Sequence, residues 1–193
     1  YRRQRQMCIR DSITIHYGMI ILSFDIGIKN LAYCMIDTED KTILDWNVLD
    51  CSGQNETLRV IQEIDKLEYL TEADIVLLEK QPSFNPKMRN ISTALYVYFI
   101  IRIQHEQNKW CKVIFYPAKY KLKCSSTNIE HKSKNKYRQN KNLGIVHTRE
   151  LIKSHEDFFE KHKKKDDLAD CYLQAMSYIK FFINSNEQKT TAW

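Results

Sequence analysis

Met19 to Phe24 (MIILSF) is a short apolar run broken only by Ser23, the pattern of a strand buried on both faces. After Asp25-Ile26-Gly27, Leu31 to Asp37 (LAYCMID) resumes strand character. Thr42 to Val48, with Trp46 and β-branched residues, reads as a third strand. Three strands joined by such short connections predict an antiparallel meander. The period then changes. Leu58, Ile61, Ile64 and Leu67 recur at helical spacing and predict a helix over 58–70. Ile75 to Leu78 is again a buried strand, ending at Glu79. Pro82 and Pro86 hold an extended turn, and a long helix is predicted over about 87–107. Val113 to Tyr116 is a fifth strand, stopped by Pro117. The stretch 119–141 has few large apolar residues beyond Leu122 and Ile129 and reads as a loop or lightly packed arm. His147 to Ile152 predicts a short helix. The last strong helix spans about 166–182, with Leu168, Cys171, Tyr172, Ala175, Ile179 and Phe182 as its apolar stripe. This order predicts an α/β architecture, a mixed sheet with helices packed on it.

The pattern begins abruptly at Met19, while residues 1–18 are rich in Arg and Gln and show no apolar period. Met19 is therefore expected to be the natural start. The segment 1–18 reads as a non-native or disordered leader, the domain as 19–184, and 185–193 as a tail. A mitochondrial transit peptide is the competing reading, because Arg2, Arg3, Arg5 and Arg10 precede the first acid, Asp11. No stretch reaches the ~18–20 apolar residues of a membrane helix; Ala94 to Ile103 is too short and contains Arg102. No membrane association and no small-molecule cofactor are expected. The six cysteines (Cys8, Cys34, Cys51, Cys111, Cys124, Cys171) are scattered, without zinc spacing, and read as free thiols.

The net charge is +6, which permits a polyanionic partner. Its distribution says more. Between Lys119 and Lys141 eight Lys or Arg stand against one acid, Glu130. That one segment outweighs the rest of the chain, which is close to neutral.

Four acids stand out against the apolar pattern. Asp25 follows the first strand in Ser23-Phe24-Asp25-Ile26-Gly27. There it is half-buried and costly unless paired or bound to a cation, although an Asp opening a turn before Gly27 explains it equally well. Glu79 repeats the pattern after Ile75-Val76-Leu77-Leu78. If strands one and four are parallel neighbours, the two carboxylates emerge at one edge of the sheet, where open α/β sheets place ligand sites. Asp167 and Asp170 lie i, i+3 at the start of the last helix and share a face. Acids at a helix start also serve as caps, a reading that suits Asp166 better than Asp170. Assembled, the four form a hard oxygen set suited to Mg²⁺ or Mn²⁺. Two such ions, ~4 Å apart, support phosphodiester cleavage.

The motifs SFDIGIKNLAYCMID, LEKQPS and KKKDDLADC, in this order, resemble the RuvC-like Holliday junction resolvases. The resemblance is to the poxvirus-type branch, with the fungal mitochondrial resolvases as relatives, and runs from Met19 to about Phe182. It implies an RNase H-like fold, with a three-strand antiparallel meander plus parallel strands in a five-stranded sheet. It also implies a homodimer, Mg²⁺-dependent paired nicks across four-way DNA, and two ions per site. By motif, Asp25, Glu79, Asp167 and Asp170 match the catalytic, metal-binding acids, with a one-residue ambiguity between Asp166 and Asp167. Gln81 matches the Gln of the E-x-Q motif, as a substrate or supporting residue. The site of action is the host cytoplasm if the chain is poxvirus-like and the mitochondrion if it is fungal-type.

The DNA-contact candidates are the bases around these acids. Lys163, Lys164 and Lys165 precede the acidic helix, and Lys87 and Arg89 begin the helix after Glu79. Lys119, Lys121, Lys123, Lys132, Lys134, Lys136 and Arg138 fill the basic segment. Phosphate contacts of this kind give affinity with little sequence information. Tyr120, Tyr137 and Phe84 are candidates for stacking on an unpaired base. Two other classes fit the same residues: a nuclease of RNA–DNA hybrids or flaps, and a junction-binding module without chemistry.

Overall fold

The computed structural model describes residues 18–123, 136–152 and 154–184. Residues 1–17 of the leader, the tail, Lys132 and Lys134 lie outside the described residues, as do the side chains of Lys136 and Tyr137.

Five strands form one sheet in the order β3-β2-β1-β4-β5: β1 (Ile20–Ile26), β2 (Asn30–Asp37), β3 (Ile43–Asp50), β4 (Ile75–Glu79) and β5 (Lys112–Tyr116). β1, β2 and β3 pair antiparallel, while β4 pairs parallel with both β1 and β5. This is the expected meander with parallel strands added beside β1, the RNase H-like arrangement. Gly27 closes the first hairpin, its N–H bonded to Asn30 O at 3.0 Å. A Cβ there would stand 2.6 Å from that oxygen, so only glycine fits where the backbone closes on itself.

β1 is buried on both faces because each face carries its own core. Leu22, Phe24 and Ile26 join Leu31, Tyr33, Val76 and Leu78 beneath α1 (Glu56–Asp65) and α2 (Pro86–Phe99). Phe99 packs on Phe24 with centroids 5.5 Å apart; truncating either to Ala costs ~3–5 kcal/mol. Ile21, Ala32, Cys34 and Leu77 meet Leu168, Cys171 and Leu173 on the opposite face. Pro86 stands at the start of α2, where its missing N–H loses nothing, and Asn85 caps that helix by accepting from Met88 N. α2 continues as a π-helical segment, Ile100–Glu106.

Two expectations change. The predicted helix over 58–70 ends at Asp65, and a 3₁₀ turn, Glu68–Glu72, follows it. The basic stretch is not simply a loop. Ala118–Lys123 is a 3₁₀ segment, and Lys136–Leu151 is a sixteen-residue helix, α3, which takes in the shorter helix expected at His147. Gly144 lets α3 lie against the last long helix: a Cβ there would stand 3.7 Å from Leu173 Cδ1 and 4.0 Å from Asp170 Oδ1. α4 (Glu156–Lys161) and α5 (Lys165–Tyr178) follow, with α5 extended by a π segment, Ile179–Ile183. Trp46 stacks on Phe159 and donates to Leu168 O at 3.1 Å, which fixes α4 and α5 to the sheet. Cys34, Cys51, Cys111 and Cys171 are free and buried. Among the described residues no helix is long and apolar enough to cross a membrane.

Candidate active site

The parallel register of β1 and β4 pairs Phe24 with Leu78. Asp25 and Glu79, one residue on, therefore leave the sheet side by side at the same edge. α5 starts above that edge and presents Asp167 and Asp170 on one face. Below them Gln174, one turn on, is fully buried. Its side-chain amide donates to Ser23 Oγ (3.0 Å), Phe24 O (3.1 Å) and Leu77 O (3.3 Å). Gln174 thus ties α5 to the two strands just before their acids, a positioning role that no sequence motif announced.

Lys121 lies in a setting that the sequence did not reveal. As one of many lysines in a basic stretch, it read as a DNA-contact candidate. The structure buries it, with its side chain 6% exposed. Its Nζ lies 3.0 Å from Asp25 Oδ1, 3.1 Å from Glu79 Oε1 and 3.8 Å from Asp170 Oδ2. Carboxylates packed this closely repel, and an ammonium among them offsets part of that repulsion. Burial alone would lower the Lys121 pKa, but Asp25, Asp170 and Glu79 hold it well above the ordinary lysine value.

The acids stay short of positive charge. Burial pushes Glu79 up to about 7, against the pull of Lys121 and with the Asp25 charge adding to the rise. Asp170 is pushed up to about 6 by burial, again opposed by Lys121 and reinforced by Asp25. Asp167 is raised by burial and by the charges of Asp166 and Asp25, with Lys164 only 4.0 Å away as a partial counterweight. Asp166 behaves differently. Burial raises it, but Lys141 and backbone N–H groups donate to its carboxylate, leaving it below the ordinary value. The geometry therefore favours Asp167 over Asp166 as the fourth member.

With Lys121 among the carboxylates, no three His, Cys, Asp or Glu side chains close to metal-holding distance among the described residues. The donor set nevertheless fits a hard divalent cation. Every donor is a carboxylate oxygen, and three of the acids, Asp25, Glu79 and Asp170, share one buried ammonium.

The remaining expected residues lie at various distances from this centre. Gln81 bonds back to Glu79, its amide donating to Glu79 O at 3.2 Å and Oε2 at 3.5 Å. Lys87 is drawn away to Glu56 on α1 at 2.8 Å, and Arg89 donates to Ser83 O at 3.3 Å. Lys165 pairs with Glu160 at 3.3 Å, while Lys163 and Lys164 are exposed at the entrance to α5. Lys119, Lys123 and Arg138 are exposed. Phe84 stands 86% exposed on the turn between Glu79 and α2.

A family model described as the poxvirus A22 protein matches residues 19–184. The L451 protein of Acanthamoeba polyphaga mimivirus is 33% identical over 145 residues, 67% of this chain. That match takes in 35% of the mimivirus protein, so the chain spans about a third of that relative. Resolvase OPG149 of monkeypox virus is 29% identical over 171 residues, covering 86% of this chain and 79% of the relative. The crystal structure of fowlpox virus resolvase with its substrate Holliday junction DNA superimposes with a TM-score of 0.56. It is 25% identical and covers 84% of this chain and 97% of that one.

Proposed function

The chain belongs to the poxvirus A22 protein family, and from that premise we propose that it is a Holliday junction resolvase, an endodeoxyribonuclease that nicks four-way DNA. The observation that carries the reading is the convergence of Asp25, Glu79 and Asp170 on Lys121 at the edge where β1 and β4 end. A buried carboxylate cluster that lacks enough positive charge is a natural seat for Mg²⁺ or Mn²⁺. Asp25, Glu79, Asp167 and Asp170 would hold one or two ions there. Such an ion supplies an activated water and stabilises the leaving oxygen of a phosphodiester.

The chain's own groups do the rest. Gln174 holds the two strand ends in register. Lys121 keeps the acids together and presents a positive charge beside the scissile phosphate. Lys119, Lys123, Arg138, Lys163 and Lys164 line exposed surface, where phosphate contacts give affinity. The expected contacts of Lys87 and Arg89 are weaker candidates, because both side chains already have protein partners.

Paired symmetric nicks need two sites, and a two-fold dimer matches a two-fold junction. Val97 and Ile101, one turn apart on α2 and its π extension, are 46% and 45% exposed and support that helix as the dimer face. The poxvirus and mimivirus relatives support a viral replication site in the host cytoplasm. Import of a tagged chain into mitochondria would argue instead for the fungal-type setting.

The test is cleavage of a labelled four-way junction with Mg²⁺, beside linear duplex and RNA–DNA hybrid of the same sequence. Paired nicks in the junction alone are expected. Cutting of the hybrid would move the protein to another nuclease class. Tight junction binding without cutting in Mg²⁺ or Mn²⁺ would leave a binding module.

A further inference from the structure

The 3₁₀ segment Ala118–Lys123 sends its lysines in two directions. Lys119 and Lys123 are exposed, while Lys121, between them, is buried among the acids. A lysine side chain loses rotamer freedom when fixed, so the backbone that aims it must itself be held. Among the described residues, the side chains on either side of Lys121 anchor the segment.

Those anchors are Tyr120 and Leu122. Leu122 packs against the core beneath α5. The Tyr120 ring sits among Tyr116 (5.6 Å between centroids), Phe181 (6.0 Å) and Phe182 (6.3 Å). Tyr116 and Tyr178 complete this group, with Phe182 stacked on Tyr178 at 5.1 Å. Its far wall is the π-wound end of α5, Ile179–Ile183, a winding that recurs at functional sites. Its near wall is in the sheet. Tyr116 pairs with Glu79 across β5 and β4, and its hydroxyl accepts from Ser177 at 3.1 Å. The same frame thus holds Glu79 and the segment that carries Lys121. On the solvent side Lys119 and Lys123 lie over the Tyr120 ring at 5.1 and 5.6 Å, and Lys180 donates to Lys123 O at 3.3 Å.

We propose that Tyr120, clamped between Tyr116 and Phe181–Phe182, is a positioning residue that seats the Lys121 ammonium among Asp25, Glu79 and Asp170. The inference rests on the resolvase reading for its consequence in catalysis, but the seat itself is independent of it. Tyr120 makes these contacts with its ring, so phenylalanine preserves the seat and alanine removes it.

The experiment acetylates the full chain with acetic anhydride in EDTA and reads each lysine by mass spectrometry, with Lys119 and Lys123 as exposed references. Lys121 is expected to be protected in the wild type and in Tyr120→Phe, and to approach its neighbours' reactivity in Tyr120→Ala. Single-turnover junction cleavage is expected to fall about a hundredfold in Tyr120→Ala, the loss a ~1 Å misplacement brings, with junction Kd little changed and the rate restored in Tyr120→Phe. Phe182→Ala, at a ring 41% exposed, is expected to shift both readouts the same way by a smaller factor. It carries the test if melting curves show Tyr120→Ala unfolded. Continued protection of Lys121 in the folded alanine variants overturns the seat. Cleavage unchanged by them, or lost only through weaker binding, overturns the positioning role. If the wild type cuts no junction but the acetylation pattern holds, the resolvase reading fails and the seat stands.

Discussion

Replacing Lys121 by methionine removes the ammonium set among Asp25, Glu79 and Asp170 while keeping most of the side-chain volume. Breaking a buried ion pair from one side costs ~3–5 kcal/mol. Asp170 is 32% exposed here, so solvent screens part of the loss and about 2–4 kcal/mol is expected. At ~2–4 °C per kcal/mol for a domain of this size, Lys121→Met should melt about 4–16 °C lower in EDTA at pH 8. The penalty should depend on pH with a definite sign. Glu79 rises from 4.5 unfolded to about 7 folded, so the folded chain binds more protons between those values. Stability is therefore lost as pH rises through that window, and without Lys121 the loss steepens. At pH 5 the variant should approach the wild type. Mg²⁺ should restore the variant by ~2.7 kcal/mol at a hundredfold excess over Kd. It should restore the wild type less, because there the ion meets a competing ammonium. The assay is a set of thermal melts in EDTA and Mg²⁺ at pH 5 and 8. A variant as stable as the wild type at pH 8 in EDTA, or equally stabilised by Mg²⁺, would refute the account of the cluster.

Asp25→Asn should bind four-way junctions with near-unchanged affinity and cut them orders of magnitude more slowly; wild-type cutting in a gel assay would remove Asp25 from the chemistry. Replacing Lys119, Lys123 and Arg138 together with Gln should weaken binding and flatten the plot of log K against log salt by ~0.9 for each phosphate no longer neutralised. A titration that finds the slope unchanged would place the DNA elsewhere. Phe84→Ala should leave the melting temperature alone and weaken junction binding by about 5- to 150-fold, the worth of one ~1–3 kcal/mol base stack. Equal affinity in a fluorescence titration would show that the ring meets no base.

Asp25 and Glu79 were legible because a carboxylate ending an apolar run violates the strand's own pattern, and the rule is local. The meander of β1, β2 and β3 was legible in the apolar runs and short connections, whereas the parallel strands beside β1 were expected only through the family resemblance. Lys121 was not legible. Nothing in a run of lysines distinguishes the one that turns inward; that depends on Tyr120 and Leu122 finding partners on α5 and its π extension, far along the chain. α3 was hidden because it docks through small and polar residues. Gly144, His147 and Thr148 are buried on it, and its apolar residues are too few to print a stripe. The pairing of Lys87 with Glu56 joined residues 31 apart, beyond any spacing rule on a single helix.

The cluster takes Asp25 from the first strand, Glu79 from the fourth, Lys121 from beyond the fifth, and Asp170 from the last long helix. Chains emerge from the ribosome N-terminus first, so the meander can pair while α5 is still unmade. Until α5 docks, Gln174 does not tie the strand ends and Asp170 does not face Asp25. A partly synthesised or C-terminally clipped chain therefore carries the fold's beginning without its cutting edge. On the resolvase reading, cutting waits for the domain to be complete.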